Sequence, residues 1–291
     1  MNKLALGTAQ FGMDYGINSS VGMLKPQEVL QILQYAESVN IDFLDTAPAY
    51  GNSERMLGSM NVTDFKVVTK TRHFKDSQIT DDDIVLLNQE FNNSLKDLKL
   101  DSVHGLLVHN ADDLLKPGAD RIFDHLQNLK KAEKIDKVGV SVYENKQLNF
   151  VLNNFDVDIV QLPLNIFDRR FIDSGMLKLL SSKGIEVHAR SIFLQGLTLM
   201  SDDIRPSKFN RWSNLWKIWH DWLNDYSISP LEASVRYAMS VTEISKVLVG
   251  IDSANQLAEI VKATSGFLPT IPDELHTNDA LLLNPSNWDL L

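Results

Sequence analysis

The chain predicts a closed (β/α)8 barrel, and three observations predict it. Short apolar runs of strand length alternate with longer segments of helical period, eight such pairs can be counted, and no Pro/Gly/Ser-rich linker divides the 291 residues. Strands that are each followed by a helix imply an all-parallel sheet, and eight is the number that closes into this barrel. Length alone would allow two domains, but α/β barrels reach this size as one. The reading is therefore one domain over residues 1–291, with a long insertion at 201–228 and a tail from residue 266.

The first strand is Leu4 to Ala9, and Pro26 with Glu28 opens the first long helix in the first-turn manner. Strands follow at Phe43 to Asp45 and Phe65 to Lys70, then a helix whose Ile84, Leu87, Phe91, Leu95 and Leu98 share one face. Val103 to His109 is the fourth strand, with Ile122, Leu126 and Leu129 marking its helix. Lys137 to Ser141 is the fifth, followed by Leu148, Val151, Leu152 and Phe155 at helical spacing. Ile159 to Leu162 is the sixth strand, and its helix ends at Lys183-Gly184 in the C-cap manner. Glu186 to Arg190 and Lys246 to Val249 complete the set.

The insertion after the seventh strand carries Trp212, Trp216, Trp219 and Trp222 on one helical face. That stripe reads as packing of the insertion onto the barrel; the alternative is that one ring stacks on a substrate. The segment after Gly266, with Pro269, Pro272 and Pro285, reads as an irregular tail ending in Trp288.

Twenty-eight Lys and Arg against 38 Asp and Glu give a formal charge of −10, which argues against a nucleic-acid partner that needs a basic stripe. With 44% hydrophobic and 23% charged residues the chain has a globular composition, and with no cysteine it has no disulfide, thiolate zinc site or cysteine nucleophile. The opening residues carry one Lys and only a very short apolar stretch before Gly7, too little for a signal-peptide core, and no run approaches the roughly 20 apolar residues of a membrane span. A soluble, cytoplasmic protein with no membrane partner is expected.

In such a barrel chemistry belongs at the C-terminal ends of the strands. Asp45 closes the second strand with Tyr50 just beyond, Lys70 closes the third and His109 the fourth. Singly these are a turn cap, a solvated charge and an incidental histidine; together they put four proton-handling groups at one mouth. A phenol is a poor acid at neutral pH unless a cation stabilises its phenolate, which Lys70 would supply while Asp45 holds Lys70 charged. With His109 hydrogen-bonding a carbonyl oxygen, the set suits hydride transfer to a carbonyl and the reverse reaction from an alcohol. His73, His104, His125, His188, His220 and His276 show no metal-ligand pattern, so no metal is expected.

Leu6-Gly-Thr-Ala-Gln-Phe-Gly12 and Asp45-Thr-Ala-Pro-Ala-Tyr-Gly-Asn-Ser-Glu54 resemble the aldo-keto reductases. The resemblance continues through Val67-Val-Thr-Lys70, Leu106-Leu-Val-His109 with Asp112, Val138-Gly-Val-Ser141, Gln161-Leu-Pro-Leu-Asn165, Arg190-Ser191 and Leu248-Val-Gly250. It implies that Asp45, Tyr50, Lys70 and His109 form the catalytic tetrad of an NAD(P)-dependent reductase acting on a small carbonyl compound or sugar. No Gly-x-Gly-x-x-Gly occurs, so a Rossmann site is not indicated. The resemblance implies instead a dinucleotide laid across the mouth. Gly7 and Thr8 would contribute to its site, with Ser141, Gln161 and Asn165 near the nicotinamide carboxamide. Arg190, Ser191, Phe193, Gln195, Gly196 and Leu197 would lie over the pyrophosphate, and Gly250, Asp252, Ser253, Gln256 and Glu259 at the adenosine ribose. For Gln161 and Asn165 a strand-end turn is the other reading.

NADP(H) is the cofactor the resemblance implies, but Asp252 stands where relatives that prefer it carry a basic residue. A carboxylate there repels the 2′-phosphate and leaves NAD(H) open, while Ser253 and Gln256 remain as hydrogen-bond donors. Arg169 and Arg170, past the sixth strand, are candidates for a substrate phosphate or carboxylate, and the tail is a candidate lid. Two other functions stay open: a cofactor-binding regulatory or sensor subunit with weak turnover, and a lyase acting on a phosphate-bearing substrate on the same barrel.

Overall fold

The structure is a computed structural model that describes residues 2–14, 16 and 22–291. Eight parallel strands close in sequence order: β1 (Leu4–Gly7), β2 (Phe43–Asp45), β3 (Lys66–Lys70), β4 (Val103–Val108), β5 (Ile135–Ser141), β6 (Ile159–Pro163), β7 (Glu186–Arg190) and β8 (Lys246–Gly250). Closure rests on β1, which pairs with β2 at Leu6↔Leu44 and with β8 from Leu4↔Val247 to Gly7↔Gly250. Successive side chains point to opposite faces of a strand, so each strand feeds two cores. Ala5, Phe43, Val68, Leu107, Ile159 and Leu248 fill the barrel interior. Their neighbours, such as Leu4, Leu44, Val67, Leu106, Val160 and Val247, face the surrounding helices. The interior is tight: a Cβ on Gly139 would lie 2.7 Å from the Ile159 carbonyl oxygen.

The helices are α1 (Ala9–Gly12), α2 (Pro26–Ser38), α3 (Ser53–Ser59), α4 (Asp81–Leu98), α5 (Asp120–Lys131), α6 (Asn145–Asn154), α7 (Arg170–Asp173), α8 (Met176–Ser182), α9 (Ser213–Asp225), α10 (Pro230–Ser240), α11 (Ala254–Ala263) and α12 (Ala280–Leu283). Pro26 and Glu28 do open α2, with the Glu28 carboxylate accepting from the Lys25 N–H at 2.7 Å. Gly184, at φ 70°, follows α8 as its sequence position suggests. Strand ends move by one or two residues. Ala9 belongs to α1, because the Phe11 N–H turns back to the Thr8 carbonyl. His109 lies just past β4, its N–H donating to Thr71 Oγ1 at 3.2 Å.

The insertion holds a 3₁₀ turn at Ser207–Trp212 followed by α9. Trp216 and Trp219 pack edge-on against Phe167 with centroids 5.3 and 5.4 Å away, and Trp222 stacks on Trp219. The indole N–H groups of Trp216, Trp219 and Trp222 donate to the carbonyls of Phe209, Thr198 and Thr270, so these aromatics are satisfied structural pieces. Trp212 precedes α9 and donates to Asp279 Oδ2 at 3.0 Å.

The tail is less irregular than the prolines suggest, because short turns at Asp273–Leu275, α12 and Pro285–Leu290 give it form. Trp288 meets Phe209 edge-on at 4.9 Å and its carbonyl accepts from Lys208 Nζ at 3.0 Å. Insertion and tail thus form one pinned wall.

Candidate active site

A cleft of about 730 Å³ opens at the C-terminal ends of the strands. The loop after β2 that brings Tyr50 to it is clamped backbone to backbone. A Cβ on Gly12 would sit 2.0 Å from the Tyr50 carbonyl oxygen, and one on Gly51, at φ 60°, 2.4 Å from the Gly12 carbonyl oxygen. Both positions require glycine.

Beneath the cleft floor Lys70 Nζ donates to Asp45 Oδ2 at 2.6 Å, to the Thr46 carbonyl at 2.9 Å and to the Tyr50 hydroxyl oxygen at 3.2 Å. An ammonium has three protons, and here each has an acceptor. The phenol oxygen therefore accepts from Lys70 and keeps its own proton for the cleft. Asp45 is held on both sides, since Gln161 Nε2 donates to its Oδ1 at 2.7 Å.

Burial pushes the Tyr50 phenol above its ordinary pKa, and the opposing pull of Lys70 does not reverse this. Lys70 supplies the cation the sequence offers for a phenolate, but burial outweighs it, and Tyr50 is a protonated phenol at neutral pH. Burial also works against the Lys70 ammonium, but Asp45 and Tyr50 outweigh it and hold the pKa above the usual lysine range. Burial, with Lys70, His73 and Arg190 nearby, lowers His109 to about 3, so its imidazole is neutral. Its ring meets Tyr50 edge-on at 6.0 Å and stacks on His73 at 4.7 Å.

Of the residues expected from the sequence, Asp45, Tyr50 and His109 line the cleft. So do Gly7, Thr8, Ser141, Gln161, Arg190, Ser191, Phe193, Gln195, Gly196, Gly250, Asp252 and Gln256. Lys70 lies behind them. Four expected cofactor residues stand elsewhere. Asn165 is fully buried and forms the strand-end turn, its Oδ1 accepting from the Phe167 and Asp168 N–H groups and its Nδ2 donating to the Ser191 carbonyl. Leu197 is core, Ser253 caps α11 by accepting from the Gln256 N–H, and Glu259 on α11 does not reach the cleft. The arginines past β6 are also spent: Arg170 forks onto Asp168 at 2.8 and 2.7 Å, and Arg169 donates to the Pro272 carbonyl.

Sequence reasoning missed Gln10, His73, Tyr143, Glu144 and Gln147, which also line the cleft, and the tail contributes Asn284, Pro285 and Ser286. Tyr143 had a usable signal, lying two residues past a strand end. Arg190 stacks over its ring at 3.9 Å and donates to the Val142 carbonyl at 3.0 Å.

Two observations test whether the cleft fits a dinucleotide. Arg190 is the one Lys or Arg lining it among the described residues, a cation available to a pyrophosphate. Past β8, Asp252 Oδ1 is buried without a hydrogen-bond partner among the described residues, while the Asp252 N–H donates to Gln256 Oε1 at 2.6 Å. An orphaned buried acceptor is costly, and a ribose hydroxyl would satisfy it. Burial, then the charge of Asp14, raises the Asp252 pKa. Between these sites Ser191, Leu194 and Gln195 adopt left-handed backbone at φ 61°, 48° and 53°, strain of the kind concentrated at functional loops. The residues present fit the group.

Comparison with known proteins gives a family model described as "Aldo/keto reductase family" over residues 3–276. The L-galactose dehydrogenase of Arabidopsis thaliana is 27% identical over 267 residues, covering 86% of this chain and 82% of that protein. Among solved structures, the glycerol dehydrogenase AKR11B4 from Gluconobacter oxydans superposes with a TM-score of 0.72 at 22% identity, over 93% of this chain and 88% of that one. The holo form of AKR11C1 from Bacillus halodurans gives 0.70 at 18% identity, over 92% and 88%. Among the described residues no helix is long and apolar enough to cross a membrane.

Proposed function

We propose, from the premise that this chain belongs to the aldo/keto reductase family, that it interconverts a small carbonyl compound and its alcohol with Tyr50 as general acid and base. The observation that carries this reading is the saturation of Lys70 Nζ by Asp45, Thr46 and the Tyr50 oxygen, which commits the phenol proton to the cleft. In reduction Tyr50 donates that proton to the carbonyl oxygen; in oxidation it takes the alcohol proton, and Lys70 stabilises the phenolate. Neutral His109 donates a hydrogen bond to the same oxygen and polarises it. Asp45 and Gln161 hold Lys70 in place and touch no reacting atom.

A bound nicotinamide dinucleotide supplies or accepts the hydride. Ser141 and Gln161 would hold its nicotinamide end, Arg190, Gln195 and Gly196 its pyrophosphate, and Asp252 with Gln256 its adenosine ribose. The unpartnered Asp252 carboxylate supports NAD(H) over NADP(H), because it accepts from a 2′-hydroxyl and repels a 2′-phosphate. The name of the Arabidopsis relative supports a sugar among the substrates, and the proposal carries with it the cytoplasmic location expected from the sequence. The test is a panel of aldehydes, keto-sugars and aldoses screened by absorbance with both cofactors. Tyr50→Phe should lower the rate on any active substrate at least about 100-fold. Unaltered turnover in that variant refutes the assignment.

A further inference from the structure

His73 belongs to none of the roles assigned so far, yet it stands in the cleft. It lies three residues past Lys70, on the loop that leaves β3. Its ring is stacked on that of His109, with centroids 4.7 Å apart and planes inclined by 27°. It makes no hydrogen bond or ion pair with the described residues. His73 is exposed as a residue, but its ring lies against a second imidazole that stands beside Tyr50.

Both imidazoles line the same cleft, and their nearly parallel rings stand 4.7 Å apart. A ring nitrogen meets its partner at roughly 2.9 Å, so two rings this close can serve neighbouring atoms of one small ligand. With the reacting oxygen between Tyr50 and His109, the atom left for His73 is an oxygen on the neighbouring carbon.

Resting on the function proposed above, we propose that His73 is a specificity-determining residue that hydrogen-bonds the hydroxyl on the carbon next to the reacting carbonyl, so that the enzyme prefers α-hydroxy carbonyl compounds to simple ones. A carbonyl compound without that hydroxyl still meets Tyr50 and His109 but leaves His73 without its partner.

The test compares propanal, 2-hydroxypropanal and 3-hydroxypropanal by kcat/KM in the full-length protein with its preferred cofactor. Wild type should favour 2-hydroxypropanal over both others. His73→Phe keeps a ring to stack on His109 but removes the hydrogen bond. It should lower the ratio of 2-hydroxypropanal to propanal about tenfold, the worth of one such bond. His73→Gln restores hydrogen bonding without a ring and should recover part of that ratio, which separates recognition from mere support of His109. A wild-type preference that His73→Phe leaves unchanged, or a wild type without that preference, overturns the proposal while the carbonyl–alcohol reading stands. A wild type inert toward all three and toward the wider panel overturns both.

Discussion

Gln161 reaches across the barrel mouth from β6 to donate to Asp45 at the end of β2, at 2.7 Å. This contact joins residues 116 positions apart and leaves no Asp45 oxygen unpaired, because Lys70 takes the other. Gln161→Leu would strip one oxygen of a buried carboxylate of its donor. We expect a loss of about 1.5–3 kcal/mol, the range for hydrogen bonds to charged groups, read from urea unfolding midpoints, with a drop in kcat as Lys70 loosens. Wild-type stability and turnover in this variant would show that the contact has no energetic role.

Removing Lys70 is more severe. Lys70→Met leaves the buried Asp45 charge without its ion pair, and breaking a buried pair costs about 3–5 kcal/mol. Adding Asp45→Asn to the same chain should restore most of the stability and none of the activity, because the phenolate still lacks its cation. Denaturant unfolding and rate assays on the single and double variants check both halves; a double variant as unstable as the single one contradicts the account.

His109 sets a stability trend with pH. Its folded pKa of about 3 lies below the ordinary 6.5, so between those values the unfolded chain binds the extra proton. The stability is fully present above pH 6.5 and declines as pH falls, by about 1.4 kcal/mol per pH unit. His109→Gln should therefore reduce the loss of stability between pH 7 and pH 5 by about 2 kcal/mol. Equal losses in the two proteins would mean that the ring is freely protonated in the fold.

The barrel was legible because its signal is repetitive: each apolar run that fills the interior or meets a helix recurs in the same order. The catalytic group was legible because Asp45, Tyr50, Lys70 and His109 stand at or just past strand ends, where the fold aims them at one mouth. What the chain could not show is partnership across the barrel. Gln161 looks like a purely ligand-facing amide, yet one of its Nε2 protons goes to Asp45. Asn165 has the same chemistry four residues on, but the turn takes its amide oxygen and the Ser191 carbonyl takes its Nδ2. Nor does any local pattern announce that His73 will lie against His109, since that stack joins the segments that follow two different strands. The direction of the Tyr50 pKa has a related cause: a nearby cation can be read from sequence, whereas the depth of burial that outweighs it cannot.

Cofactor choice turns on Asp252. Asp252→Lys replaces repulsion of a 2′-phosphate by attraction and should tighten NADP(H) binding roughly tenfold or more, an effect that shrinks as salt screens the pair over about 10 Å at 0.1 M. Titration of both cofactors by fluorescence quenching measures it. Identical NADP(H) affinities in wild type and variant would show that the carboxylate does not face the ribose.

The pairing of β1 with β8 also imposes an order on how this chain acquires its shape. Leu4 cannot meet Val247 until the residues between them have been made, and at 5–20 residues per second that is a wait of roughly 12–50 s. Throughout that interval one edge of the earliest strand has no neighbour, and such an edge is open to pairing with other chains. The pairing that closes the cylinder is thus the last of the barrel's strand pairings that synthesis permits.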